Sequence, residues 1–313
     1  MKAILYEKQT APDVLVYREA EKPVPGENEV LVQIRCASVN ALDYRSLRMG
    51  ILPKNKIFGA DISGVVAETG SSVRQFRAGD AVIADLSGCG MGGFAQYAAV
   101  PANALIHKPE SVSFEDAAAL PVAALTALQG LRKGGIQAAG QHVLICGASG
   151  GVGTYALQLA KNFGAKVTAV CSAKHVQQTY ALGAGHVIDY RQEDFTKGKE
   201  RYDLILAVNG NYPLFAYKRA LTPGGTAVVL GGALSQIFKT MAFGPLMSLG
   251  GKKIKILAAK PCLADLSLLA GLAAQGLLKP VIDKRFSLSD AAEAVRYAEK
   301  GHPGGKIMIT VAE

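Results

Sequence analysis

The residues best placed to do chemistry stand in one row, Gly147-Ala148-Ser149-Gly150-Gly151-Val152-Gly153. Glycines permit a tight turn and let the backbone approach a phosphate with no Cβ in the way. A helix starting there adds free N–H groups and a partial positive charge. The chemistry expected is the cradling of a dinucleotide diphosphate by Ser149, Gly150, Gly151 and Val152. The same letters satisfy G-x-S-x-G, the nucleophile elbow of hydrolases, in which Ser149 would attack a carbonyl. That reading needs an acid and then a His later in the chain. Asp203 or Asp283 followed by His302 meets the order, so spacing leaves this alternative open. The phosphate loop of nucleoside triphosphatases is excluded, because Thr154-Tyr155 stand where Lys and then Ser or Thr are required.

The elements around the turn support the first reading. Gln141 to Cys146 is an apolar, strand-like run. Tyr155, Ala156, Leu159 and Phe163 recur at helical spacing until Gly164, and Lys166 to Cys171 is the next strand. The end of that strand selects the dinucleotide. An NAD site places Asp or Glu there for the ribose 2′-hydroxyl. This chain has Cys171-Ser172-Ala173-Lys174-His175. No carboxylate repels a 2′-phosphate, Ser172 can donate a hydrogen bond and Lys174 brings a charge, so NADP(H) is expected. Lys174 also has a plainer reading, as the first residue of a solvated helix.

Strands and helices keep alternating beyond this point, with strands at His186–Tyr190, Tyr202–Val208, Thr226–Leu230 and Lys255–Ala258. Such alternation implies a doubly wound parallel sheet. Ligands bind outside the C-terminal ends of its strands, which places Asn209, Gly231 and Gly232 near the cofactor. Residues 233–252 are apolar and glycine-punctuated, and read as a mobile loop over a pocket or a subunit contact. Ser113 and Ser289 are expected to cap the helices that follow them. Residues before about 115 read differently, as many short strands with regular turns, which suggests an antiparallel barrel or sandwich.

Composition bounds the rest. The 313 residues are half hydrophobic, enough for two domains. Lys and Arg number 34 against 25 Asp and Glu, a net charge of +9. No basic block or aromatic–basic repeat accompanies the excess, so a nucleic-acid module is not expected. The five cysteines form no C-x-x-C pair, and Cys36, Cys146 and Cys171 lie in apolar runs as buried reduced thiols would. No signal segment or membrane span is evident, and the expected location is cytoplasmic.

Several stretches occur together in a telling order: Val39-Asn40-Ala41-Leu42-Asp43-Tyr44, Gly59-Ala60-Asp61-Ile62-Ser63-Gly64, Arg77-Ala78-Gly79-Asp80, Pro121 to Ala127, the glycine turn, and Gly304-Gly305-Lys306. Their order and spacing resemble the medium-chain dehydrogenase/reductases, and within them the zinc-free quinone oxidoreductases. The resemblance implies an α/β fold with two domains. One is a doubly wound parallel Rossmann sheet at 121–263; the other is a discontinuous GroES-like antiparallel β-barrel at 1–120 and 264–313. It implies transfer of hydride or electrons from NADPH to a quinone, and a homodimer. An alkenal or enone double bond is the alternative acceptor. A non-catalytic NADPH- or RNA-binding protein is the alternative of another class.

Catalytic zinc needs Cys, His or carboxylate ligands. Where zinc-dependent members carry them, this chain has Asn40 and Gly59-Ala60-Asp61, and their structural cysteine cluster is reduced to Cys89. No metal is therefore expected at either site, and Asp61 is expected to be structural. By the same resemblance Asn40 orients a substrate oxygen, and Tyr44 packs the ring or donates a proton. Thr126 bonds the carboxamide or the substrate, Tyr190 supports the adenosine end and Lys306 contacts the cofactor. Thr126 bonding its own helix, Tyr190 as packing, Lys306 as a solvated strand end and Arg48 as a surface charge are the plainer readings.

Overall fold

Residues 1–7, 14–137, 139–209, 212–248, 250–301 and 303–311 are described by the computed structural model. The chain divides inside one helix into two units, Met1–Leu125 with Lys260–Glu313, and Thr126–Ala259.

The N-terminal stretch runs β1 (Lys2–Tyr6), β2 (Leu15–Glu19), β3 (Glu29–Val39), α1 (Ala41–Arg48), β4 (Asp61–Thr69), β5 (Ala81–Asp85), β6 (Tyr97–Pro101), β7 (Leu105–His107), α2 (Phe114–Ala119) and α3 (Pro121–Gly134). Ser113 caps α2 as expected, its hydroxyl accepting from Asp116 N at 3.0 Å. The spine is β3, whose Val30, Leu31, Val32 and Ile34 are buried. It pairs antiparallel with β4 and with β6.

The second unit follows as β8 (His142–Cys146), α4 (Gly151–Asn162), β9 (Lys166–Cys171), α5 (Val176–Ala181), β10 (His186–Asp189), β11 (Tyr202–Ala207), α6 (Leu214–Ala220), β12 (Leu221–Val229), α7 (Leu234–Met247) and β13 (Lys253–Ile256). Every pairing here is parallel, in the order β10-β9-β8-β11-β12-β13. Counted by appearance this is 3-2-1-4-5-6, the doubly wound Rossmann order, which reverses direction between β8 and β11. Those two strands are apolar and buried on both faces, as central parallel strands must be.

The chain then returns to the first unit through α8 (Leu263–Ala274), β14 (Ile282–Ser287), α9 (Ala291–Lys300) and β15 (Lys306–Thr310). β15 pairs antiparallel with β3, so the C-terminal strand completes a sheet begun by the N-terminal third. The sheet order is β14-β15-β3-β4-β5-β7 with β6 also on β3, and β14–β15 is parallel, so the sheet is mixed rather than purely antiparallel. On α9, Ala291, Ala294 and Val295 are buried at helical spacing against the first unit's core.

Two local expectations give way. Residues expected as a mobile loop within 233–252 form the helix α7. Ser289 does not cap α9, because a 3-10 turn at Leu288–Asp290 precedes the helix and puts Asp290, without a side-chain cap bond, at its N-cap position.

Candidate active site

The turns after β8 and β11 pack directly on each other. Gly147 has a φ of +81°, and a Cβ on it would lie 3.0 Å from Asn209 Cβ. Val208 and Asn209 both donate their N–H groups to the Cys146 carbonyl, at 3.0 and 3.2 Å. Gly153 has no room for a side chain at all, since a Cβ would sit 2.1 Å from the Gly147 oxygen. α4 begins at Gly150 with no side-chain cap. Its first-turn N–H groups are thus offered to whatever anion comes to the turn, the usual arrangement for binding a phosphate. These residues fit a dinucleotide.

Neighbouring strand ends extend the same edge. Tyr190, after β10, donates its N–H to the Cys171 carbonyl at 3.2 Å, beside Ser172 at the end of β9. Ser172 opens the short turn Ala173–His175, on which Lys174 is exposed. Leu230 N bonds the Ala207 carbonyl at 2.9 Å and leads into buried Gly231. Thr126 lies on α3, one turn before Gly130, whose missing Cβ makes room for Leu230. The sheet therefore brings Ser149, Gly150, Gly151, Val152, Ser172, Lys174, Tyr190, Asn209 and Gly231 to one edge.

Both acids that the hydrolase alternative needs already accept hydrogen bonds. Asp203 accepts from His142 N and Thr222 Oγ1, both at 2.9 Å, at the start of β8 and therefore at the opposite edge from Ser149. Asp283 accepts from Tyr297 Oη at 2.8 Å and Gly304 N at 3.0 Å within the other unit. His302 lies outside the described residues.

The first unit holds a second constellation, a buried polar knot where β15, β3 and β4 lie side by side. Asp61 Oδ2 accepts from Ser38 Oγ at 2.7 Å, Asn40 Nδ2 at 2.8 Å and Lys306 Nζ at 3.1 Å. Its Oδ1 accepts from Val122 N at 2.9 Å. Lys306 Nζ also donates to Asn40 Oδ1 at 2.7 Å. Asp61 is completely buried and Lys306 is 2 % exposed. This corrects the reading of Lys306 as a solvated strand end: two of its three N–H donors are spent inside the protein. Both ends of the Asn40 amide are likewise engaged, by Lys306, Asp61 and the Ser38 carbonyl.

Two further acids border the knot. Asp43, three residues into α1's opening turn, accepts from Asn40 N at 2.7 Å and Gly59 N at 3.1 Å. This is a capping-box pattern that Asn40-x-x-Asp43 carries in the sequence. Burial pushes Asp43 up to about 7 against those two bonds, and burial with the nearby Asp61 charge pushes Asp85 up to about 6. Ser38 and Asp85 were not singled out by the sequence; a polar residue inside an apolar strand run was the available signal. Tyr44 is half-buried against the core, and Arg48 pairs with Glu299 of α9.

Zinc does not fit these residues. Ala60 has no donor atom, Asp61 is already paired with an ammonium, and among the described residues no three His, Cys, Asp or Glu side chains converge to hold an ion. Among the described residues, no helix is long and apolar enough to cross a membrane.

Residues 26–110 match the alcohol dehydrogenase GroES-like domain, and residues 182–309 match the zinc-binding dehydrogenase domain. A chloroplast envelope quinone oxidoreductase homolog of Arabidopsis thaliana is 34% identical, over 92% of this chain and 91% of its own. A 2-methylene-furan-3-one reductase of Solanum lycopersicum is 33% identical, over 99% of this chain and 79% of its own. The solved quinone oxidoreductase from Coxiella burnetii matches with a TM-score of 0.89 at 30% identity, covering 100% of this chain and 99% of that one. Similarity of this extent, on a fold with this strand order and glycine turn, means that the chain belongs to the medium-chain dehydrogenase/reductase family, as an oxidoreductase of a group that uses a nicotinamide cofactor.

Proposed function

We propose that the chain reduces quinones with NADPH and needs no metal to do so. The observation that carries the cofactor choice is the end of β9, where Ser172 and exposed Lys174 stand in place of a carboxylate. When bound, NADPH supplies the hydride. The N–H groups of Gly151 and Val152 hold the diphosphate, Lys174 and Ser172 meet the 2′-phosphate, and Tyr190 lies along the adenosine. Thr126 donates to the carboxamide or the acceptor. The knot of Asp61, Lys306 and Asn40 fixes the start of α1 and with it Tyr44, the residue this reading assigns to the acceptor. A quinone carbonyl takes up electrons without a Lewis acid, which suits residues that do not fit zinc.

One relative favours a second acceptor. The tomato protein is named for reduction of a methylene-furanone, an activated double bond. That reaction leaves an enolate needing a proton, and Tyr44 is the donor this reading assigns to it. Steady-state rates with 1,2-naphthoquinone and with a simple enone, each with NADPH and NADH, test both readings. The quinone reading expects the higher kcat/KM for naphthoquinone with NADPH, undiminished by chelators. Faster enone turnover that collapses in Tyr44→Phe would replace it with the second.

A further inference from the structure

The helix α7 is built inside out. Its inward arc carries Gln236, Thr240, Gly244 and Met247, with Gln236 at 4% and Thr240 at 2% exposure. Its outward arc carries Phe238, Met241, Ala242, Pro245 and Leu246, at helical positions i, i+3, i+4, i+7 and i+8. Of these, Phe238 is 65%, Met241 59% and Leu246 66% exposed. A helix packed on a globular core normally shows the opposite pattern. The inversion is firmly seated. Gln236 Nε2 donates to the Tyr212 carbonyl at 2.9 Å, Thr240 Oγ1 to the Gln236 carbonyl at 2.7 Å, and Ile254 N to Ser248 Oγ at 3.0 Å just past the helix end. Phe215, 72% exposed on the adjoining α6, adds a further aromatic ring.

Charge around this face is one-sided. Residues 126–259 hold 15 Lys and Arg against five Asp and Glu, whereas the rest of the chain holds 19 against 20. The net charge of the protein is thus carried by this unit alone. From Leu204 to Ala259 there is no Asp or Glu, and there are six basic residues: Lys218, Arg219, Lys239, Lys252, Lys253 and Lys255. Lys239 lies on the outward arc itself, and Lys252 reaches across to the Lys218 carbonyl at 3.1 Å.

We propose that this face of α7 docks on an anionic lipid bilayer. Phe238, Met241, Leu246 and Phe215 enter the boundary between headgroups and acyl chains, and the lysines meet lipid phosphates. Apolar side chains backed by a predominantly basic rim, where Asp194 faces Arg219 but 204–259 adds no acid, are the chemistry of a helix lying in the membrane surface. At 14 residues α7 is too short to span one. A second copy suits the face less well, because a two-fold pairing sets the basic rim against itself. The inference does not rest on the reading of cofactor or acceptor.

Flotation of the full chain with vesicles tests it. With phosphatidylcholine vesicles containing 30% phosphatidylglycerol, the protein should float; with phosphatidylcholine alone, binding should fall by about tenfold or more. Phe238→Ser with Leu246→Ser should lower binding to the anionic vesicles by at least about tenfold. Lys252→Gln with Lys253→Gln should lower it by about tenfold, a gap that closes at high salt. Circular dichroism and thermal melts confirm that the variants are folded. Failure to float on anionic vesicles, or flotation unchanged by Phe238→Ser/Leu246→Ser, overturns the proposal. A dimer by light scattering that these serines dissociate, without flotation, assigns the face to a second copy instead.

Discussion

The glycine turn after β8 and the polar knot around Asp61 solve opposite problems. In the turn, side chains are kept out so that backbone N–H groups face outward, and its parts lie within seven consecutive residues. In the knot, side chains do everything and every one is turned inward. Its members come from β3, the start of α1, β4 and β15, and Asn40 meets Lys306 across 266 positions of sequence. A binding site is left unfinished until its ligand arrives; a structural frame is complete by itself. Adding atoms to the turn should therefore cost binding, and removing atoms from the knot should cost stability.

The largest effect tests the first half of that contrast. Gly153→Val places a side chain where even a Cβ meets the Gly147 oxygen at 2.1 Å, so the turn must open. NADPH affinity, followed by fluorescence titration, should fall at least about a hundredfold, equivalent to about 3 kcal/mol. Far-ultraviolet circular dichroism should stay near that of the parent. Binding within threefold of the parent would remove the turn from the cofactor site.

Lys306→Met tests the second half. It leaves Asp61 buried without its cation, which costs about 3–5 kcal/mol when one partner of a buried pair is lost. Thermal unfolding should fall by roughly 10 °C. Asp61→Asn added to Lys306→Met should recover at least half of the loss, because the uncompensated charge is gone. A double variant no better than the single one would mean that the lysine acts by packing rather than by pairing.

A smaller and pH-dependent effect comes from Asp43. In the folded protein burial holds it up to about 7, whereas in the unfolded chain it ionises near 4. Between those values the folded state binds the extra proton. Its contribution to stability should therefore be full below about pH 4, fall by a few kcal/mol as pH rises to about 7, and level off above. Asp85, raised to about 6, adds to the same slope. Urea unfolding at pH 5 and pH 8 measures it, and Asp43→Asn should flatten most of it. Equal stability at both pH values in the parent would show that Asp43 is ionised throughout.

The same contrast explains what could be read from the sequence. The turn, the strand on each side of it and the Ser172–Lys174 end are local patterns, so periodicity and glycine spacing found them. The Asn40-x-x-Asp43 box, a stretch that drew notice only through the family resemblance, is equally local. Asp61 with Lys306 was not, because nothing in either neighbourhood says that β15 returns to pair with β3. A lysine at a strand end reads as solvated until that register is known. α7 was missed for another reason. Gly244, Pro245 and the glycines flanking the helix read as loop signals, and most of its apolar residues face outward, so the period was present but the burial it normally reports was not.

The smallest expected effect is the one that decides between the two nucleotides. Lys174 is exposed, so its pairing with a 2′-phosphate is screened by solvent and worth about 1 kcal/mol. Lys174→Ala should weaken NADPH about fivefold and leave NADH unchanged, and the gap should shrink at high salt. Because the variant alters neither the turn nor the knot, any loss shared equally by both nucleotides cannot come from the 2′-phosphate. It would mean that the charge acts on the diphosphate through the general field of this basic unit. NADPH affinity unaltered at low salt would assign Lys174 to the solvated helix start, and leave the proposed preference for NADPH resting on Ser172 and on the carboxylate that is not there.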